Sequence, residues 1–138
     1  MGYRLKIKDL SFDEGVITAV TFDSDTPASG NARSTDLRAT MRIVGRINFS
    51  LGAEISDSTV ELAKWALMSS DQADCYREVQ VQVINGGQVV RQYKYPNAFV
   101  MDYEENLNDE EGVGTFVLLV KQKQDLTSKL ELKGNFEE

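Results

Sequence analysis

The densest set of groups that could do chemistry in this sequence is Asp102-Tyr103-Glu104-Glu105-Asn106-Leu107-Asn108-Asp109-Glu110-Glu111. Oxygen-rich loops can hold calcium, but they need ligands at alternating positions and a glycine at the sharp turn. Here Gly112 follows the acids and the alternation is missing, so the run reads as a solvated hairpin tip. A carboxylate pair for glycoside cleavage must share a cleft, whereas neighbours on a loop tip splay apart. Ser24, Ser29 and Ser34 offer hydroxyls, yet the chain has no histidine to activate them and no nucleophile elbow. The single cysteine, Cys75, lies beside Asp71 and Asp74, acids that disfavour a thiolate, and reads as inert. Asn85-Gly86-Gly87 lacks the Lys-Ser/Thr and the helix start of a phosphate loop and reads as a tight turn. No catalytic constellation, metal site or cofactor site emerges, and the expectation is a protein that is not an enzyme.

The bulk numbers narrow the class further. At 138 residues the chain is expected to form one domain over 1–138, with a core large enough to need no staples. A net charge of −7 disfavours nucleic-acid binding, which needs a Lys/Arg surplus on at least one face. One cysteine excludes an intramolecular disulfide and a cysteine metal cluster. No segment reaches the roughly 18 apolar residues of a membrane span. The N-terminus alternates polar and apolar residues and lacks the apolar stretch of a signal peptide. Cytoplasmic synthesis is the expectation, with export by a route needing no cleavable signal left open, as is a place in a virion or extracellular particle.

The elements that position these residues are mostly strands. Tyr3, Leu5 and Ile7 alternate with Arg4, Lys6 and Lys8, and Val16 to Phe22 is rich in β-branched residues. Leu37 to Phe49 places Met41, Ile43, Ile47 and Phe49 on one face and Thr40, Arg42, Arg46 and Asn48 on the other. One helix is predicted from Ser58 to Ser69, opened by the capping box Ser58-Thr59-Val60-Glu61, with Leu62 and Trp65 on its apolar stripe. Trp65 therefore reads as core. Tyr76 to Ile84 and Gln88 to Tyr95 form a hairpin, and Pro96 is expected to end its second strand. Tyr95 to Asn106 and Gly112 to Lys123 follow as two strands apolar on both faces, which need cover on both. Ser128 to Gly134 closes the chain. About eight strands and one flanking helix predict a mainly β fold, a small two-sheet barrel or sandwich.

Two features stand outside this frame. Asp23 to Asp36 is a polar stretch with almost nothing to bury, longer than compact domains usually carry without function. It is either a loose loop or an arm reaching another chain. Arg42 and Arg46 share a strand face with Thr40, Val44 and Asn48, preceded by Arg33 and Arg38. That face is either simply solvated or lines a pore or meets acids of a neighbouring subunit.

The order of elements, with the Trp65 helix, Tyr95-Pro96-Asn97-Ala98-Phe99-Val100-Met101-Asp102-Tyr103-Glu104 and the strand Thr115-Phe116-Val117-Leu118, resembles the haemolysin-coregulated protein (Hcp) family. These are tube-forming subunits of type VI secretion, related to the tail-tube proteins of contractile phages and injection particles. The resemblance runs most closely from Glu61 to Val120. It implies a two-sheet β-barrel that assembles edge to edge into six-membered rings stacking into a tube. Partners would be further copies of the chain, sheath, spike and baseplate proteins, and cargo. It places the inter-subunit loop at Asp23, Ser24, Asp25, Thr26, Pro27, Ser29, Asn31, Arg33 and Asp36, and a polar lumen at Arg42, Arg46 and Asn48. The alternative is a barrel without ring assembly, binding a small molecule among Phe99, Met101, Phe116 and Leu118.

Overall fold

In a computed structural model, the residues described are 1–25, 38–48, 58–69, 71–108, 113–122 and 131–134. Their elements are β1 (Gly2–Ile7), β2 (Leu10–Phe12), β3 (Ile17–Asp25), β4 (Arg38–Asn48), α1 (Ser58–Ala66), a 3₁₀ turn (Ala73–Cys75), β5 (Arg77–Asn85), β6 (Gln88–Asn108), β7 (Val113–Gln122) and β8 (Glu131–Gly134). The strands form one eight-stranded antiparallel sheet in the order β2-β1-β5-β6-β7-β4-β3, with β8 also on β6.

This corrects the expected two-sheet barrel, and β6 is the reason. Pro96 does not end a strand: β6 runs unbroken for 21 residues. Its first half pairs with β5 and its second half with β7, so one strand joins what would otherwise be two sheets. Three irregularities bend it. Between Val79↔Tyr95 and Arg77↔Ala98, β6 carries one residue more than β5, and Pro96 sits in that bulge, where no ladder N–H is required. Extra residues recur at Val90 and Met101, from the shifts between Arg91 and Val89 and between Val100 and Asp102. Bulges increase local bending and twist, so the sheet curls around its core, and no ladder among the described residues joins its two ends.

The hairpin turns follow their sequence signals. Gly86 and Gly87 have φ of 62° and 79° and link the Asn85↔Gln88 pair, the two positive φ values that a primed hairpin turn requires. Lys8 takes φ 52° in the two-residue link between β1 and β2, a short strand that the sequence pattern did not announce.

The core lies inside the curl. Leu5, Ile7, Met41, Ile43, Val79, Val81, Phe116 and Leu118 fill it from the strands, and Leu62 and Trp65 close it from α1. Trp65 is thus core, as its position on the stripe implies. Its indole Nε1–H donates to the carbonyl of Cys75 at 2.7 Å, which ties the helix to the 3₁₀ turn. Tyr95 is fully buried, and its hydroxyl donates to the Thr40 carbonyl at 3.1 Å. Burial pushes its phenol well above the ordinary tyrosine range. The core face of β4 has a glycine for a steric reason. A Cβ at Gly45 would stand 2.4 Å from the ring of Phe116.

Candidate assembly surface

The strand segment β3-β4-β7-β6 presents its other face to solvent, and the registers fix what stands there. Across β3, β4, β7 and β6 one row reads Asp23, Thr40, Lys121, Phe99. The next reads Thr21, Arg42, Leu119, Asp102, and the third Ala19, Val44, Val117, Glu104. On β4, β7 and β6 a fourth reads Arg46, Thr115, Asn106. The core partners of these residues alternate with them along each strand, as the pleat demands. Met41, Ile43 and Ile47 are buried on β4, and Phe116, Leu118 and Val120 on β7.

The face is therefore sorted into columns. Arg42 and Arg46, both exposed, form a cationic column on β4. Val117 and Leu119, half-buried, form an apolar column on β7. Asp102 and Glu104, both exposed, form an acidic column on β6. None of these four charged side chains makes an ion pair with another described residue. Two strand spacings, roughly 10 Å, separate the columns, with the apolar residues between them.

Among the described strands both borders of the segment carry unpaired ladder, although β1 comes close to β3. β3 pairs with β4 alone among the described strands, and from Phe99 to Asn108 β6 pairs with β7 alone. Beside that stretch of β6, a surface groove runs against α1, lined by apolar Ala63, Ala66, Leu67, Val100 and Met101 together with Asp102, Tyr103 and Glu105. Leu67 and Met101 are exposed there at 86% and 52%, so apolar surface follows the open edge.

In the opposite part of the sheet, charged and amide side chains meet partners within the chain. The Arg77 guanidinium lies 5.4 Å from the Trp65 ring centroid and 2.7 Å from Asp74, whose carboxylate also meets Lys8 at 2.7 Å. Hydrogen bonds from Arg77 and then Lys8 hold the Asp74 carboxyl at a pKa of about 2. On the outer face of β5 and β6, Gln80 and Gln82 both donate to Gln92 Oε1, at 3.2 and 3.1 Å. The cleft over Lys6, Lys8, Asp9, Asp74, Arg77 and Glu78 holds paired charges of both signs rather than a convergent site.

Of the residues singled out in the sequence, Arg42 and Arg46 lie together on the exposed face, and Asn48 ends β4 opposite Val113. Asp23, Ser24 and Asp25 belong to β3 rather than to a loop, paired with Thr40, Ala39 and Arg38. Thr26, Pro27, Ser29, Asn31, Arg33 and Asp36 lie outside the described residues. The four residues offered for a ligand cavity part company: Phe116 and Leu118 are fully buried, Met101 is exposed, and Phe99 packs against Tyr76 at 5.9 Å. Among the described residues no group of His, Cys, Asp and Glu could hold a metal ion, and no helix is long and apolar enough to cross a membrane. The acidic column was missed in the sequence because the bulge at Met101 reverses the alternation. Phe99 and Asp102 share a face, although odd spacing would separate them in a regular strand.

The fold is Hcp-like. The chain matches the structure of Hcp1 from Flavobacterium johnsoniae with a TM-score of 0.63 at 17% identity, over 100% of both chains. A type VI secretion system effector from Yersinia pestis matches with a TM-score of 0.55 at 9% identity, over 95% of this chain and 96% of that one. A chain of the sheath–tube complex of an extracellular contractile injection system, PVC, in its extended state matches with a TM-score of 0.51 at 11% identity, over 96% and 88%. No family model matches the sequence, and no curated protein does.

Proposed function

We propose that this chain is a structural subunit whose copies close edge to edge into rings, six-membered as in the family it resembles, that stack into the inner tube of a contractile injection apparatus. The observation that carries this reading is the β3-β4-β7-β6 segment, its ladder unpaired at both borders among the described strands. Each strand is antiparallel to the next, so β3 and β6 run in opposite directions. A second copy related by rotation can therefore add its β6 to this β3 in the antiparallel sense, and repetition closes a cylinder without unpaired edges. The face that such a cylinder turns inward or outward is the columned one, polar and exposed at Arg42, Arg46, Asp102 and Glu104.

Similarity to chains of a sheath–tube complex and of an anti-feeding prophage baseplate supports sheath and baseplate proteins as the further partners, and a lumen that passes cargo belongs to the same reading. The role is architectural, with no reaction of its own. The stretch from Asp23 to Asp36 serves in this reading as the arm between subunits, its first three residues anchored in β3. Absolute mass by light scattering on a sizing column, with negative-stain images of the same peak, tests it. Rings with a central hole are expected, and loss of rings is expected when residues 27–35 are shortened. A monomer of 15.4 kDa at every concentration would overturn the reading.

A further inference from the structure

The columned face holds two cations and two carboxylates in each copy that have no ion-pair partner among the described residues, and the way they are spaced suggests what they are for. Within one chain the columns are kept apart by Val117 and Leu119, whose side chains stand between them on β7. On the other side of β4 the situation differs. The residues of β3 beside Arg42 and Val44 are Thr21 and Ala19, both small and exposed. A strand added to β3 would be two strand spacings from β4, about 10 Å, the same interval as between the two columns within the chain. Over Thr21 and Ala19 no large side chain of the described face intervenes, and an extended arginine together with a carboxylate side chain spans that interval.

We propose, resting on the edge-to-edge reading above, that Arg42 and Arg46 reach across β3 to pair with Asp102 and Glu104 of a second copy. The four residues would then fix partner, register and polarity at every seam of the ring. The strand directions permit it, since the acidic column lies on the β6 that adds to β3. Charge complementarity of this kind acts on orientation and on rejection of wrong alignments more than on raw affinity. Slipping the seam by one residue would turn the acids to the other face of the sheet, where they would meet the core side instead of the arginines. A head-to-tail contact of this sort is heterologous, each copy giving its arginines to one neighbour and its acids to the other.

The test uses the full chain in four forms: wild type, R42E/R46E, D102R/E104R, and an equimolar mixture of the two variants. Each is sized by light scattering at low and at high salt, with thermal unfolding as the check on folding. The expected result is rings from wild type, at least a tenfold loss of ring from either variant alone, and rings again from the mixture. In the mixture each reversed arginine face meets a reversed acidic face, and the two native faces meet each other, so alternating copies satisfy every seam. R42Q/R46Q, which removes charge without reversing it, is expected to form rings more weakly and with less salt dependence. Rings of wild-type yield from both reversals would overturn the pairing while leaving the tube reading intact. So would broken variants that the mixture does not restore, because the residues would then face something other than each other. A wild-type chain that never forms rings would remove the tube reading itself.

Discussion

The two parts of this sheet differ in how completely their polar groups are used. Around β1, β5 and the first half of β6, many of the charges and amides are partnered within the chain. Asp74 serves both Arg77 and Lys8, Arg4 meets Glu14, and Gln92 takes two glutamine donors. Along β3, β4, β7 and the second half of β6, the ladder is unpaired at both borders among the described strands, and the charged columns have no described ion-pair partner. The first region meets much of its polar demand within the chain, and in the proposed reading a second copy completes the other. Changes in the first should therefore act on stability, and changes on the outer face of the second on assembly.

The largest effect on stability is expected from Trp65→Ala. The substitution removes a side chain 1% exposed, its 2.7 Å bond to the Cys75 carbonyl and the ring beneath Arg77. Large aromatic truncations in cores cost about 3–5 kcal/mol. Urea unfolding of the variant, held below the concentration at which wild type assembles, should show a loss of that size. A loss below about 1 kcal/mol would mean that the first region is not where the helix is anchored.

Gly45→Ala sharpens the comparison from the other side, because the open segment is open on one face only. Its core face leaves no room: the new Cβ would meet the Phe116 ring at 2.4 Å, with the Val16 carbonyl 3.1 Å away. Overpacking of this kind costs about 1–3 kcal/mol. The same strand should thus be intolerant at Gly45 and tolerant at Arg42 and Arg46, read out by thermal unfolding of single variants.

A pH series isolates the ion network of the first region. The Asp74 carboxyl is held at about 2, below its ordinary 3.8, so the folded state binds its proton less readily than the unfolded chain. Its contribution is fully present above about pH 4 and is lost as pH falls towards 2. Asp74→Asn should therefore be less stable than wild type at pH 6, with the gap narrowing between pH 4 and pH 2 in urea unfolding midpoints. A gap independent of pH would assign the stabilisation to the hydrogen bonds of the side chain rather than to its charge.

How much of this was legible in the sequence depends on whether local periodicity survives in the fold. The hairpin at Asn85-Gly86-Gly87, the core helix with Trp65 and the two faces of β4 are all written in uninterrupted alternation or helical spacing, and they stand as expected. β6 is the counterexample. Pro96 looks like a stop because a regular ladder would need its N–H, and only the pairing with β5 reveals the bulge that accommodates it. The extra residue at Met101 likewise moves Asp102 and Glu104 to the face of the arginines, a position set by β7 rather than by their neighbours in sequence. The single sheet follows from the same strand, since its continuity depends on pairing partners far along the chain. Asp23 to Asp25 read as loop by composition, yet Thr40, Ala39 and Arg38 pair with them and extend β3.

The smallest expected effect on stability is the most discriminating. Arg42 and Arg46 are exposed, share a strand face with half-buried Val44 and make no ion pair or side-chain hydrogen bond among the described residues. Surface substitutions away from such interactions usually change stability by less than about 0.5 kcal/mol. R42E/R46E should therefore unfold within that margin of wild type when both are monomeric, compared at matched low concentration. If the pair costs more, the arginines support their own fold and the division between the two regions fails. If it costs nothing, a loss of rings in the same variant cannot be charged to unfolding, and the open face is then distinguished from the rest of the molecule by assembly alone.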